Sequence, residues 1–336
     1  MNRTYLQSIL AVAALLLVCC LFGLFTTSEH VSVLGLSYLD QGNQILRHQN
    51  VLSGTAGNPW QYRILPDYLV QGVIRAFEHF GVPRPIAMAF FFFRVLQDST
   101  VFFVSFLYYR KLGLSWAHAL MGLSLLAWGM SYAHYGSDLQ FSTYFDVLFY
   151  LLAGLTILHQ KYLWIVPITV LAALNRETSG LIPFMLLFSL PLSSYQEQRP
   201  SKHPLWVPFC ASLALYLFIF RALRLHYGHQ EFITAFGHLP GLDLLHYNLF
   251  RLITWDRLFA TLGVIPILAL VGYSKWPPVL KRFFWVVVPA WFLIHAFCAI
   301  MAESRLFLVP QALVLIPGAL FLASRPSRFE ETTPGS

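Results

Sequence analysis

Residues 35–66 read GLSYLDQGNQILRHQNVLSGTAGNPWQYRILP. This is the first polar segment of any length, and it follows the apolar run 8–25. It holds one acid, Asp40, and ends in an aromatic, basic and proline cluster, Trp60-Gln61-Tyr62-Arg63-Ile64-Leu65-Pro66. An apolar run of that length is what a helix needs to cross a bilayer, so the segment after it emerges on one face of a membrane.

The rest of the chain agrees. Of 336 residues, 57% are hydrophobic and only 11% charged, where a soluble domain carries roughly a quarter charged. A surface so poor in charge must face lipid or protein. The apolar runs are continuous rather than alternating, which excludes a transmembrane β-barrel. The expected fold class is all-α, a polytopic transmembrane helical bundle of about ten spans with short amphipathic interfacial helices in its extracytoplasmic loops. The net charge of +7 is spread between the runs, where it sets topology and touches membrane lipids, so nucleic acid is not an expected partner. Cys19, Cys20, Cys210 and Cys298 lie within apolar runs and read as small buried hydrophobes, not as a disulfide or metal set.

The ten expected spans are 8–25, 86–109, 116–132, 141–158, 162–174, 181–192, 205–220, 258–273, 283–300 and 306–323. The first reads as a retained signal-anchor. Residues 1–323 form one transmembrane domain with two long outer loops, 27–84 and 221–257, and 324–336 form a tail. Amphipathic character marks 68–80 and 242–253. An even number of spans leaves both termini on one side. Lys111, Lys161, Lys202, Lys275 and Lys281 all fall on that side. By the positive-inside rule it is the cytoplasmic side of a cell (inner or plasma) membrane. Nearly all the acids fall on the other side, an independent sign of the same orientation.

Chemistry is expected on the acid-bearing outer face. Asp40 is either a general base for an acceptor hydroxyl or a solvated loop acid. Arg63, beside Tyr62, can fork onto a phosphate or anchor the chain in the headgroup zone. Asn175-Arg176-Glu177 interrupts two short apolar runs, where an Arg and a Glu are costly unless paired or facing a wet cavity. Glu303-Ser304-Arg305 repeats the pattern, and the two couples are expected to face each other. Asp138 and Asp146, eight apart, are expected on one helix face, where they would hold sugar hydroxyls. With His134 they also leave a divalent metal open, although no cofactor is demanded. Arg94 and Asp98, four apart inside the second span, read as a structural ion pair.

Taken together, five features resemble the GT-C superfamily of integral-membrane glycosyltransferases. They are the first-loop Asp in SYLDQGNQIL, the WQYRILP cluster, the outer Asp of SDLQFSTYFD, NRET between short spans, and an E-x-R turn before a Pro-containing last span in ESRLFLVP. The likeness covers most of the chain in topology. It implies a polyprenyl-phosphate sugar donor and a glycan, lipid or protein acceptor on the outer side. Asp40 matches the family's first-loop catalytic Asp, though it stands alone where some members have paired acids. Arg63, Arg176 and Arg305 would hold the donor phosphate, and Asp138, Glu177 and Glu303 would hold sugar hydroxyls or orient those arginines. Three alternatives stand beside this: a transporter or flippase of a lipid-linked glycan, a non-catalytic scaffold, and an acyltransferase using an outer histidine (His134, His226, His229, His238 or His246).

Overall fold

A computed structural model describes residues 3–189, 205–231 and 237–324, and every regular element in them is helical. In chain order the helices are α1 (Arg3–Leu34), α2 (Leu36–Gln41), α3 (Asn43–Ser53), α4 (Ile64–His79), α5 (Pro85–Lys111), α6 (Trp116–Tyr132) and α7 (Phe141–Leu158). Then follow α8 (Ile165–Ala173), α9 (Leu181–Ser189), α10 (Trp206–Tyr227), α11 (Leu242–Phe250), α12 (Leu252–Leu262), α13 (Ile265–Val271) and α14 (Pro278–Cys298). The last span, Ser304–Ala323, runs from a 3-10 turn through a π-helical stretch at Gln311–Leu315.

Among the described residues six helices are long and apolar enough to cross a bilayer, or seven if α12 and α13 count as one broken span. Length and apolarity alone therefore do not reach ten. The shortfall lies in α6, with 17 residues, and in the short apolar helices around 162–173 and 177–189. The expected polar turn 193–204 and the tail after Ser324 fall outside the described residues.

Several expected boundaries move, each for a local reason. The first span does not stop at Phe25 but continues as α1 to Leu34. The hydroxyl of Thr26 donates to the Phe22 carbonyl (2.9 Å) and to Asp98 (3.0 Å), and Thr27 donates to the same carboxylate (3.3 Å). A polar helix face is thus satisfied inside the bundle, where the sequence looked like a loop. The run 258–273 is not one span. It breaks between α12 and α13 with a 66° bend, at Gly263, whose φ of 54° lies in the left-handed region. Only Cys19 of the four cysteines is buried; Cys20, Cys210 and Cys298 are exposed.

Burial orders the bundle from centre to rim. Of the apolar window of the last span 78% is buried, against 22% for α1 and 11% for α10. The outer helices present Leu10, Leu17, Phe218 and Leu225 outward, as a lipid-facing belt does. The central span carries the irregular π-helical stretch, and side chains catch its carbonyls. Tyr108 and Tyr109 of α5 donate to Leu313 and Ala312, each at 3.0 Å. Trp276 donates to Gly318 at 3.0 Å and Trp291 to Leu306 at 2.6 Å. Without water, those groups need such partners.

Arg94 and Asp98 form the expected pair, Nε to carboxylate at 2.9 Å, and both are buried. The guanidinium also donates to the Leu139 carbonyl and lies over the Tyr144 ring. One ion pair thereby ties α1, α5 and the approach to α7. Asp98→Ala should destabilise the chain by about 3–5 kcal/mol, because it strands a buried cation. Thr26→Val should cost about 1 kcal/mol. Both are measured as shifts in the unfolding midpoint in detergent, and a loss of well under 1 kcal/mol for Asp98→Ala would mean that the site is wet.

Candidate functional site

At one end of the bundle five helix ends and turns enclose a cavity of about 370 Å³. Four arginines line it: Arg63 from the 3-10 turn before α4, Arg176 from the α8–α9 turn, Arg224 from the end of α10, and Arg305 from the start of the last span. Two carboxylates, Glu177 and Glu303, line it with them. The two acid–base couples expected to face each other do share this cavity.

The α8–α9 turn is built to hold Arg176 in place. Asp146, near the start of α7 and wholly buried, accepts from Asn175 (2.9 Å), Arg176 (3.2 Å) and Thr178 (3.2 Å). The amide of Asn175 also donates to the Ser142 carbonyl at 2.8 Å. Tyr150 of α7 donates to the Thr178 carbonyl (2.6 Å) and Tyr216 of α10 to the Glu177 carbonyl (2.7 Å). Gly180 lets the Tyr216 ring approach: a Cβ there would meet the ring at 2.8 Å. The backbone carbonyls of Glu177 and Thr178, which leave the helical ladder here, thus each have a partner from another helix.

Charge pairing crosses elements rather than following the sequence. Arg63 donates through Nε (3.1 Å) and Nη2 (2.9 Å) to Glu177, and Arg224 reaches the other oxygen of Glu177 at 3.8 Å. Arg305 donates to Glu303 at 2.6 Å. Burial pushes the Glu177 carboxyl up, but the Arg63 charge and hydrogen bonds outweigh it and hold the group below its ordinary range. Nε of Arg176 and both Nε and Nη1 of Arg305 are buried with no acceptor among the described residues. Buried guanidinium donors without acceptors favour an anion that brings oxygens of its own.

A second cleft, of about 440 Å³, adjoins the first, and Trp60 and Glu303 line both. Its polar lining includes Tyr38, Asn43, Asn50, Asp138 and Gln140. Arg47 pairs with Asp138 and stacks over Trp60 at 4.6 Å. An indole face beside amide, hydroxyl and carboxylate groups is a surface suited to a polyol.

Other expected site residues are placed differently. Asp40 lines neither cavity. Both its oxygens accept from Arg84 at 2.9 Å, and that hydrogen-bonded pairing holds its carboxyl below the usual range. Such a group is a weak base. Tyr62 is buried beside the cavity, donates to the Gly228 carbonyl (2.9 Å) and carries Arg224 on its ring (4.5 Å). Asp146 and Asn175 act from beneath the turn, not at the cavity wall. Asp138 precedes α7, which begins at Phe141, so it does not share a helix face with Asp146. The two acids serve different arginines, and among the described residues no group of three or more His, Cys, Asp and Glu side chains is suited to a metal. Arg224, His295 and Cys298, which also line the first cavity, were not foreseen. Arg224 follows Arg221 by three positions, which puts both on one face of a helix continued past 220, the signal that was available.

The Glu177 pairing has a pH signature. A carboxyl depressed in the folded state stabilises fully above its ordinary value of 4.5 and loses that contribution as the pH falls through its lower folded value. The difference in melting temperature between wild type and Glu177→Gln should therefore shrink as the pH drops below 4.5. A difference that persists unchanged into strong acid would contradict an ionised Glu177.

Comparison with protein-family models, with curated proteins and with solved structures finds no match to this chain.

Proposed function

We propose that this chain is a membrane glycosyltransferase. It moves a sugar from a polyprenyl-phosphate donor to a glycan, lipid or protein acceptor on the extracytoplasmic face. The observation that carries this reading is the convergence of four arginines on one cavity, two of them with buried donors lacking acceptors. The adjoining polar cleft supports it by offering a place for a second, hydroxyl-bearing substrate.

The chemistry follows from that arrangement. The donor phosphate sits among Arg176, Arg305 and Arg63. The bond from the anomeric carbon to the phosphate oxygen breaks, and the arginines neutralise the charge that develops on the leaving phosphate. An acceptor hydroxyl in the cleft attacks the anomeric carbon, and its proton passes to a carboxylate. Glu303 is our choice for that base, because it lies where the two cavities meet, its side chain is 21% exposed, and Arg305 takes only one of its oxygens, where Arg84 takes both of Asp40's. Asp40, bound by Arg84 outside both, is assigned to holding α2 against the start of α5. The membrane assignment extends the same reading. Ten crossings result if the broken α12–α13 pair counts as one span and α6 and the short helices α8 and α9 also cross. The lysine-rich end then faces the cytoplasm.

Membranes carrying the full chain, incubated with a panel of radiolabelled polyprenyl-phosphate sugars, test this directly. Wild type should transfer label to lipid or polymer. Glu303→Gln should lose on the order of a hundredfold or more, and Arg176→Lys or Arg305→Lys on the order of a hundredfold, with the protein still folded. Asp40→Asn should keep most transfer. Loss with Asp40→Asn and survival with Glu303→Gln would return the base to Asp40. Binding of donor without transfer by any acceptor would favour a lipid-glycan transporter.

A further inference from the structure

A pocket near the opposite end of the bundle has no part in the chemistry above. It has a volume of about 630 Å³ and lies between the ends of α5 and α7. Leu158 is twelve residues beyond Asp146 in α7, so a rise of about 1.5 Å per residue puts this pocket roughly 18 Å along the helix from the arginine cavity's supports. Arg110 and Lys111 close α5, and His159 and Lys161 follow α7; all four line the pocket and no acid does. Among the described residues none of Arg110, Lys111 and Lys161 has an ion-pair partner.

The lining is two-sided. The cations sit where the helices end, and below them Leu107, Leu155 and the exposed indole of Trp164 form an apolar wall. The Nδ1 of His159 hydrogen-bonds the Leu155 carbonyl at 2.9 Å, which leaves Nε2 as its outward nitrogen. Arg110 gives Nη1 to the Leu114 carbonyl and lies 5.7 Å from the Trp116 ring, so its guanidinium is held at the rim. A free phosphate would use the cations and ignore the wall. A phosphodiester headgroup with acyl chains uses both.

We propose that this pocket is a binding site for an anionic phospholipid, with the headgroup phosphodiester on Arg110, Lys111 and Lys161 and an acyl chain along Leu107, Leu155 and Trp164. Charge complementarity and the apolar wall favour that occupant over a soluble anion. The inference stands on its own residues and does not depend on the glycosyltransferase reading.

Purified full-length protein in phosphatidylcholine nanodiscs with a minor fraction of brominated phosphatidylglycerol provides the test. Bromine beside Trp164 should quench a component of the fluorescence that Trp164→Phe removes. The triple variant Arg110→Gln/Lys111→Gln/Lys161→Gln should need about a hundredfold more phosphatidylglycerol for the same quenching, with unchanged far-UV circular dichroism. Mass spectrometry of the detergent-released protein should show phosphatidylglycerol retained by wild type and lost from the triple variant. Equal quenching by brominated phosphatidylcholine, equal retention by the triple variant, or displacement of the lipid by inorganic phosphate alone would each overturn the proposal. If the triple variant misfolds, Trp164→Ala and Leu107→Ala, which keep every cation, should still weaken lipid retention; no change in either would also overturn it.

Discussion

Backbone that leaves a helix inside a membrane must find its hydrogen bonds from side chains, and this chain meets that demand with buried amides, phenols and indoles. Asn248 is the plainest case. It is wholly buried, donates to the carbonyls of Ala296 (2.9 Å) and Ala299 (2.8 Å), and accepts from the Met301 amide (2.9 Å). It thereby closes the turn between α14 and the last span, the turn that carries Glu303 and Arg305. Gln44 accepts from the Leu139 amide at 2.8 Å, and Gln97 donates to the Phe141 carbonyl at 2.9 Å, so the approach to α7 is caught in the same way. An unsatisfied group in lipid costs several kcal/mol, which makes these latches structural necessities. They also show how helix ends at the cavity are cross-tied by their neighbours.

The same latches fix the candidate site. The α8–α9 turn is held by Asp146 and Asn175 from below and by Tyr150 and Tyr216 from the sides. A buried ion pair such as Arg176–Asp146 contributes little net stability against its desolvation. Its effect here is orientation. A guanidinium fixed before any ligand arrives needs no reorganisation when negative charge develops beside it, which is the condition under which electrostatic stabilisation is strongest.

The sequence made the helical, membrane-spanning class and the two charged turns legible, because a charged couple inside apolar runs has few bland explanations. The approximate positions of α5, α6, α7 and the last span could be read from apolarity alone. Pairing could not be read. Arg63 meets Glu177 across 114 positions and Arg84 meets Asp40 across 44, and no local spacing signals either contact. The continuation of α1 past Phe25 was hidden for a related reason: Thr26, Thr27 and His30 look like loop residues until Asp98 and the Ser137 carbonyl are seen to satisfy them. Asp40 drew attention by its place after the first span, yet position along the chain does not fix which carboxylate faces the arginines.

Among the described residues the cavity is lined by arginines and no lysine, whereas the far end mixes lysines with Arg110, and the difference follows from geometry. At the cavity end Arg176 gives Nη1 to Asp146 and keeps Nε, while Arg305 gives Nη2 to Glu303 and keeps Nε and Nη1. A guanidinium has five donors in a rigid plane, so it can be anchored by an acid on one edge and still offer the other edge to an oxyanion. An ammonium held by the same acid would be a point charge largely neutralised by its partner. At the far end Lys111 and Lys161 are exposed, on flexible stems where no directed edge is needed. A fluid headgroup layer asks only for positive charge within reach, whereas a fixed phosphate asks for donors at defined angles. Arginine without lysine at the cross-tied end, and lysine joining Arg110 at the open end, is what a protein would need if one end handles a positioned phosphate and the other rests in anionic lipid.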